Sequence, residues 1–122
     1  MTIKEAAARF GLTEYTLRYY EKEGLIPPVR RSDSGIRDYG EEDLGWISLA
    51  SCLRRAGLPT AAIAEYVRLF RLGDETISAR LALLREQREE LLTQQRLIGE
   101  TIERLDQKIA LYEGAGDADS QF

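Results

Sequence analysis

The sequence predicts a mainly α-helical chain in two parts: a small module of short helices, then one long helical rod. Three observations predict it. Cap residues and glycines punctuate the first part at short intervals. Pro27-Pro28 and a Ser34-Gly35 turn interrupt the helical pattern once. From Ile77 onward a seven-residue apolar repeat runs without a break.

The first helix begins at Thr2-Ile3-Lys4-Glu5, threonine followed three residues later by glutamate. In that pattern each side chain serves the other residue's backbone N–H. Ala6, Ala7, Ala8 and Phe10 continue the helix, and Gly11 can end it in a left-handed cap. Thr13 offers a second N-cap, and Glu14–Glu23 reads as the second helix, with Leu17 and Tyr20 sharing a face. Two helices around a glycine turn within about twenty residues form a helix-turn-helix arrangement, a pattern that any small helical hairpin shares.

Residues 25–39 cannot be helical throughout, because Pro27 and Pro28 forbid it and Pro28 biases its predecessor toward extended geometry. Asp33-Ser34-Gly35 is turn chemistry. Val29–Arg31 and Ile36–Tyr39 are therefore expected to pair as a two-stranded wing that leans on the helices, since an isolated hairpin is marginal.

Gly40-Glu41-Glu42-Asp43 opens a third helix with acids at its positive end. Leu44, Ile47, Ala50 and Leu53 form its inward stripe, and Gly57 stops it. Pro59 stands at or near the start of a fourth helix, whose apolar face is Ile63, Tyr66, Val67 and Phe70. Gly73-Asp74 marks the boundary of the module.

The rod is expected from about Glu75 to Glu113, roughly 58 Å at ~1.5 Å per residue. One seam position holds Leu81, Arg88, Gln95, Ile102 and Ile109. The other holds Ile77, Leu84, Leu91, Ile98, Leu105 and Tyr112. A sustained heptad of this kind points to a coiled coil and self-association. In a parallel, in-register pair Arg88 would face its own copy in the seam. An antiparallel homodimer avoids that contact and is the expected arrangement. Residues 114–122, rich in Gly, Ala, Asp and Ser, read as a disordered tail.

Net charge is −4, which by itself argues against an acidic partner. The distribution reverses the argument. Residues 1–72 carry 11 basic and 10 acidic side chains, whereas residues 73–122 carry 6 and 11. The acidity belongs to the rod, and the module's basic residues gather between Arg18 and Arg37, interleaved with tyrosines. There is no histidine and one cysteine, so neither an intrachain disulfide nor a tetrahedral metal site can be assembled. A reducing, cytoplasmic setting is expected. No apolar run approaches the roughly 18–20 residues of a membrane span.

Taken together, TLRYYEKEGLIPPVRR (16–31), SGIRDYGEEDL (34–44) and CLRRAGLP (52–59), with the long helix after Gly73-Asp74-Glu75-Thr76, closely resemble the MerR family of bacterial transcriptional regulators. The resemblance covers all but the tail. It implies a winged helix-turn-helix DNA-binding domain at residues 1–71, an antiparallel coiled-coil dimerisation helix at 72–113, and no cofactor. Such dimers bind a pseudo-palindromic operator in double-stranded promoter DNA and distort it, which realigns the promoter elements for RNA polymerase. Regulation then acts through the energy of DNA deformation.

The resemblance also implies roles by position. The second helix enters the major groove with Thr13, Tyr15, Thr16 and Arg18 toward DNA. Tyr19 and Tyr20 lie on its two sides; at least one meets phosphate, and Tyr20 has an alternative place in the core beside Leu17. Arg31, Arg37 and Tyr39 belong to the wing, and Arg54 of the third helix matches a phosphate contact. Most such contacts position the protein and carry no sequence information. Arg18, Arg37 and Arg54 have ion pairing or plain solvation as alternatives. Two residues depart from the family pattern: Ile36 stands where tyrosine is usual, and Asp38 sets a negative charge beside Arg37.

Members that sense metals keep cysteines around the dimerisation helix, and members that bind drugs carry a large C-terminal domain; this chain shows neither. The segment Trp46…Cys52–Pro59 resembles a branch that responds to reactive aldehydes, nitrosative stress or thiol stress through a single cysteine in the third helix. A thiolate is the attacking species in such chemistry, and neighbouring arginines favour it. The alternative for Cys52 is a small buried hydrophobe between Leu49 and Leu53. A coiled-coil adaptor that binds protein and not DNA is the competing function. An enzyme has no nucleophile–base pair, metal cluster or phosphate loop to draw on.

Overall fold

The computed structural model describes residues 1–115 and divides into two compact units, the first spanning Met1–Leu84 and the second beginning at Arg85. The elements are α1 (Ile3–Phe10), α2 (Glu14–Lys22), α3 (Glu41–Arg55), α4 (Thr60–Leu72), a 3-10 turn (Asp74–Thr76) and α5 (Ile77–Ala115).

In the first unit each helix starts and stops where its cap chemistry dictates. Thr2 Oγ1 accepts from Glu5 N–H at 3.1 Å, and Glu5 Oε1 accepts from Thr2 N–H at 2.8 Å. Gly11 closes α1 with φ 67°, a left-handed conformation that other residues adopt only at a cost. Thr13 Oγ1 then caps α2 by accepting from Thr16 N–H at 3.0 Å. Asp43 reaches back 2.9 Å to the backbone N–H of Gly40 at the start of α3. Pro59 is the N-cap of α4, where its missing N–H leaves no helical bond unmade.

The core joins α1 to α4. Ala6 and Ala7 of α1 let α2 and α3 approach closely, and Leu17, Leu25, Ile26 and Ile47 are sealed from water beside them. Leu44 and Ala50 complete the buried stripe of α3, and Ile63 and Val67 that of α4. Three members of the expected stripes differ, Tyr66 being half-buried. Leu53 is half-buried, and Phe70 is 41% exposed while its neighbour Leu69 is buried.

The wing is smaller than expected. In place of two paired strands, a single antiparallel bridge joins Arg31 and Arg37. Its bonds run from Ser32 N–H to Ile36 O (2.7 Å) and from Asp38 N–H to Arg30 O (2.8 Å), around a Gly35 turn at φ 83°. The ladder stops because the next hydrogen-bonding pair in register is Pro28, which has no N–H, and Gly40, whose N–H goes to the Asp43 carboxylate. Val29 N–H goes to the Glu21 carboxylate, and Tyr39 N–H goes to Met1 O.

α5 starts two residues later than expected, because Asp74–Thr76 form a 3-10 turn, and it ends at Ala115. Gly114 and Ala115 are therefore helical, and residues 116–122 of the expected tail lie outside the described residues. The second unit is helical through Ala115 and carries large apolar side chains on its surface: Ile98, Ile102, Leu105, Ile109 and Tyr112 are all more than half exposed. Leu91 is half-buried.

Candidate nucleic-acid interface

α2 stands at the centre of a face rich in arginine. Tyr15, 76% exposed, projects from its first turn, and Arg18 and Tyr19 are exposed one turn on. The Thr13 hydroxyl donates to Thr16 Oγ1 at 2.9 Å, so the two threonines hold each other at the helix start. Arg18 lies 3.4 Å from the Glu14 carboxylate, an exposed pair of the kind that contributes little to stability.

The wing flanks α2 on one side. Arg30 is 84% exposed, and its guanidinium is 4.0 Å from Asp38. Arg31 donates to the Gly35 carbonyl at 3.1 Å, which stiffens the turn and leaves its charge unneutralised. Arg37 is turned inward: its Nε donates to Glu21 Oε1 at 2.7 Å, with side chains only 23% and 14% exposed. The other Glu21 oxygen accepts from Val29 N–H at 3.0 Å, so one carboxylate clamps both edges of the wing to α2. Burial pushes the Glu21 carboxyl up. The Arg37 guanidinium, the Val29 N–H and the charge of Arg31 outweigh that and hold it below its usual range.

Asp38 does not oppose Arg37 as its sequence position suggests. Its carboxylate takes the Met1 amino group at 3.0 Å, and the same amine donates to Tyr39 O at 3.0 Å. The bond from that amine lowers the Asp38 carboxyl.

The end of α3 carries a second pair of exposed arginines, Arg54 and Arg55. Arg54 donates to Leu58 O at 2.6 Å, closing the α3–α4 turn with its charge still free. Burial raises the Tyr20 hydroxyl, opposed by the charges of Arg54 and Arg55. Burial likewise raises the Tyr39 hydroxyl, opposed by the charges of Arg37 and Arg18.

Two residues expected at the contact surface are core residues here. Tyr20 is 5% exposed because its ring packs on the inward side of α2 with Leu17. Tyr39 is 2% exposed, and its hydroxyl is buried with no hydrogen-bond partner among the described residues. Neither ring lies on the exposed basic face. Conversely, Arg30 and Arg55 are exposed, and neither was assigned a contact of its own in the sequence. Each is the other half of an arginine doublet whose partner, Arg31 or Arg54, was named.

Cys52 is exposed. The core face of α3 is set by Leu44, Ile47, Ala50 and Ser51, and Leu49 beside Cys52 is itself 38% exposed. Along α5, Ile77, Leu81 and Leu84 are 54%, 44% and 45% exposed, and Arg88 lies 3.7 Å from the neighbouring Glu89. Among the described residues no group of three or more His, Cys, Asp or Glu side chains could hold a metal, and no helix is long and apolar enough to cross a membrane.

Residues 1–69 match the family described as MerR HTH family regulatory protein. The HTH-type transcriptional regulator AdhR of Bacillus subtilis is 54% identical over 92 residues, 75% of this chain; the chain spans 66% of that relative's length. A MerR family transcriptional regulator from Listeria monocytogenes has a similar fold, with a TM-score of 0.92 and 45% identity over 94% of this chain and 87% of that one. HiNmlR, described as a MerR family regulator lacking the sensor domain and solved on promoter DNA, gives a TM-score of 0.85 and 35% identity over 98% and 94% of the two chains.

Proposed function

Because this chain belongs to the MerR family of DNA-binding transcriptional regulators, we propose that it works as a homodimer on a pseudo-palindromic promoter operator. Residues 1–71 form the DNA-binding domain. α2 enters the major groove with Thr13, Tyr15, Thr16 and Arg18, and Tyr19 meets the adjacent backbone. Arg30 and Arg31 of the wing and Arg54 and Arg55 of α3 meet phosphate on either side. Arg37 serves as the clamp that holds the wing, through Glu21, and not as a free contact.

The observation that carries this reading is that α2 presents Tyr15, Arg18 and Tyr19 to solvent while its Glu21 carboxylate ties the arginine-bearing wing to the same helix. Phosphate contacts of that kind fix register, and the α2 side chains read base edges. Residues 72–113 supply the second copy. The apolar seam from Ile77 to Tyr112 gains about 1.5–3 kcal/mol for each large side chain that a partner removes from water. An antiparallel pairing keeps Arg88 from facing itself. RNA polymerase meets the complex at the distorted promoter.

Footprinting over inverted repeats, with light scattering of the protein alone, tests the reading. A protected two-half-site footprint, a dimeric mass and affinity that falls with rising salt are expected. Salt-insensitive binding, or a monomer at micromolar concentration, would count against it.

The exposed thiol of Cys52 supports a role in sensing electrophilic or thiol stress. Cys52→Ala is expected to abolish induction by such agents while operator binding stays close to normal. An alanine variant that still responds sinks this role without touching DNA binding.

A further inference from the structure

The C-terminal end of α4 is tied to the first turns of α5 by contacts that the nucleic-acid face does not use. Gly73 breaks α4 at φ 105°, which leaves the last carbonyls of the helix without helical partners. Thr76 supplies one replacement: its hydroxyl lies 2.6 Å from Leu69 O and 2.7 Å from Gly73 O. Arg80, one turn further on, donates from Nε to Thr76 Oγ1 at 3.0 Å and from Nη2 to Gly73 O at 3.1 Å.

The same guanidinium lies over the Phe70 ring, 5.3 Å from its centroid. Phe70 in turn meets Trp46 edge-on, with centroids 4.9 Å apart at 72°. Trp46 belongs to α3, and its ring also meets Tyr66 at 6.1 Å. A line of contact therefore runs from α5 through the last turn of α4 into α3, the helix whose final turn carries Arg54 and Arg55. Among the described residues Arg80 has no carboxylate partner within ion-pair distance. Its charge is directed at a ring face and at helix-end carbonyls, both of which attract a cation.

We propose that Arg80 is a positioning residue, which fixes the start of α5 on α3 and α4 and so sets the separation of half-sites that the protein accepts. Its planar fork makes two hydrogen bonds while stacking on Phe70, which the point charge of a lysine cannot do. The half-site part of this inference rests on the dimeric reading given above. The local part does not.

Two measurements on the full chain test it. Trp46 is the only tryptophan, so its emission reports the stack directly. Arg80→Ala is expected to shift that emission and raise its quenching by acrylamide, with helical content by circular dichroism unchanged. Phe70→Leu is expected to do the same, and the double variant to add little more.

The second measurement is binding to inverted repeats whose centre is lengthened or shortened by one base pair, about a tenth of a helical turn. The unaltered protein is expected to prefer one spacing by about tenfold, and Arg80→Ala by about threefold or less. Affinity for a single half-site stays the same. Arg80→Lys keeps the charge and is expected to fall between the two, which also covers an alanine variant that fails to fold. An Arg80→Ala protein with normal quenching and normal spacing preference overturns the proposal. If the unaltered protein binds as a monomer, the dimeric reading fails, and the quenching result alone then decides the local coupling.

Discussion

Leu17 and Ile47 in the first unit have no contact with water, whereas Ile98, Ile102 and Leu105 in the second stand more than half open to it. Both sets are branched apolar side chains at helical spacing. The difference lies in what covers them. The short helices of the first unit fold back at Gly11, Gly24 and Gly57, so each apolar face meets another. α5 runs 39 residues without a turn. An amphipathic helix draws most of its stability from packing and little from propensity. The first unit is therefore built to stand by itself and the rod to be completed by something else, which the proposed reading identifies as a second copy.

That contrast can be broken most sharply at the seam. The double substitution Ile98→Asp with Ile102→Asp places two charges where a partner is expected. It should abolish the dimer in light scattering and lower operator affinity by about a hundredfold or more, ~2.7 kcal/mol. The near-ultraviolet spectrum of the first unit should survive. An undiminished dimer would remove the seam from the interface.

Next in size is the sealed core. Leu17→Ala should cost about 2–5 kcal/mol in urea unfolding followed by Trp46 emission, since a cavity replaces a fully buried side chain. That midpoint is expected to be independent of protein concentration, whereas far-ultraviolet melting of the rod should rise with concentration. Parallel concentration dependence in both probes would erase the distinction between the units.

A smaller effect is expected at the wing. Glu21→Gln weakens the bonds to Arg37 and Val29 and should cost about 1–3 kcal/mol. Because the Glu21 carboxyl is held below its ordinary 4.5, its contribution is present above that pH and disappears as pH falls through the lowered folded value. The natural protein should therefore lose stability more steeply on acidification than the glutamine variant, and equal slopes would count against the clamp.

The smallest effect is expected at Tyr39. Its buried hydroxyl has no partner among the described residues, so Tyr39→Phe should be neutral or stabilising by up to about 1 kcal/mol. Operator affinity measured alongside sharpens the point, because a clear loss would return this hydroxyl to the phosphate contacts.

What the sequence disclosed follows the same division. The helices of the first unit were legible nearly to the residue, because Thr2, Thr13, Gly11 and Pro59 act on backbone groups a few positions away. The rod was legible because its repeat is periodic. The wing was less so, since its outward-facing groups are committed at long range: Glu21 takes Val29 N–H and Arg37, and Met1 takes Asp38 and Tyr39. No local pattern encodes those partnerships. The exposure of Cys52 was hidden for a related reason. Leucines on both sides suggest burial, but the phase of α3 is set by Leu44, Ile47 and Ala50, and Cys52 falls outside that stripe.

The carboxylates beside Arg18, Arg30 and Arg37 have a consequence for how the protein meets a polyanion. A guanidinium that is free when it reaches a phosphate expels one condensed counterion from the DNA, and each such exchange adds about 0.9 to the logarithmic salt slope. A guanidinium that must first leave Glu14, Asp38 or Glu21 leaves behind an anion that recruits a cation from solution, and the exchange largely cancels. Arg31 and Arg54 are held by neutral carbonyls and bring their whole charge. The slope of affinity against salt should thus count the carbonyl-held arginines and be blind to the carboxylate-held ones, leaving the complex less sensitive to ionic strength than its arginine content implies.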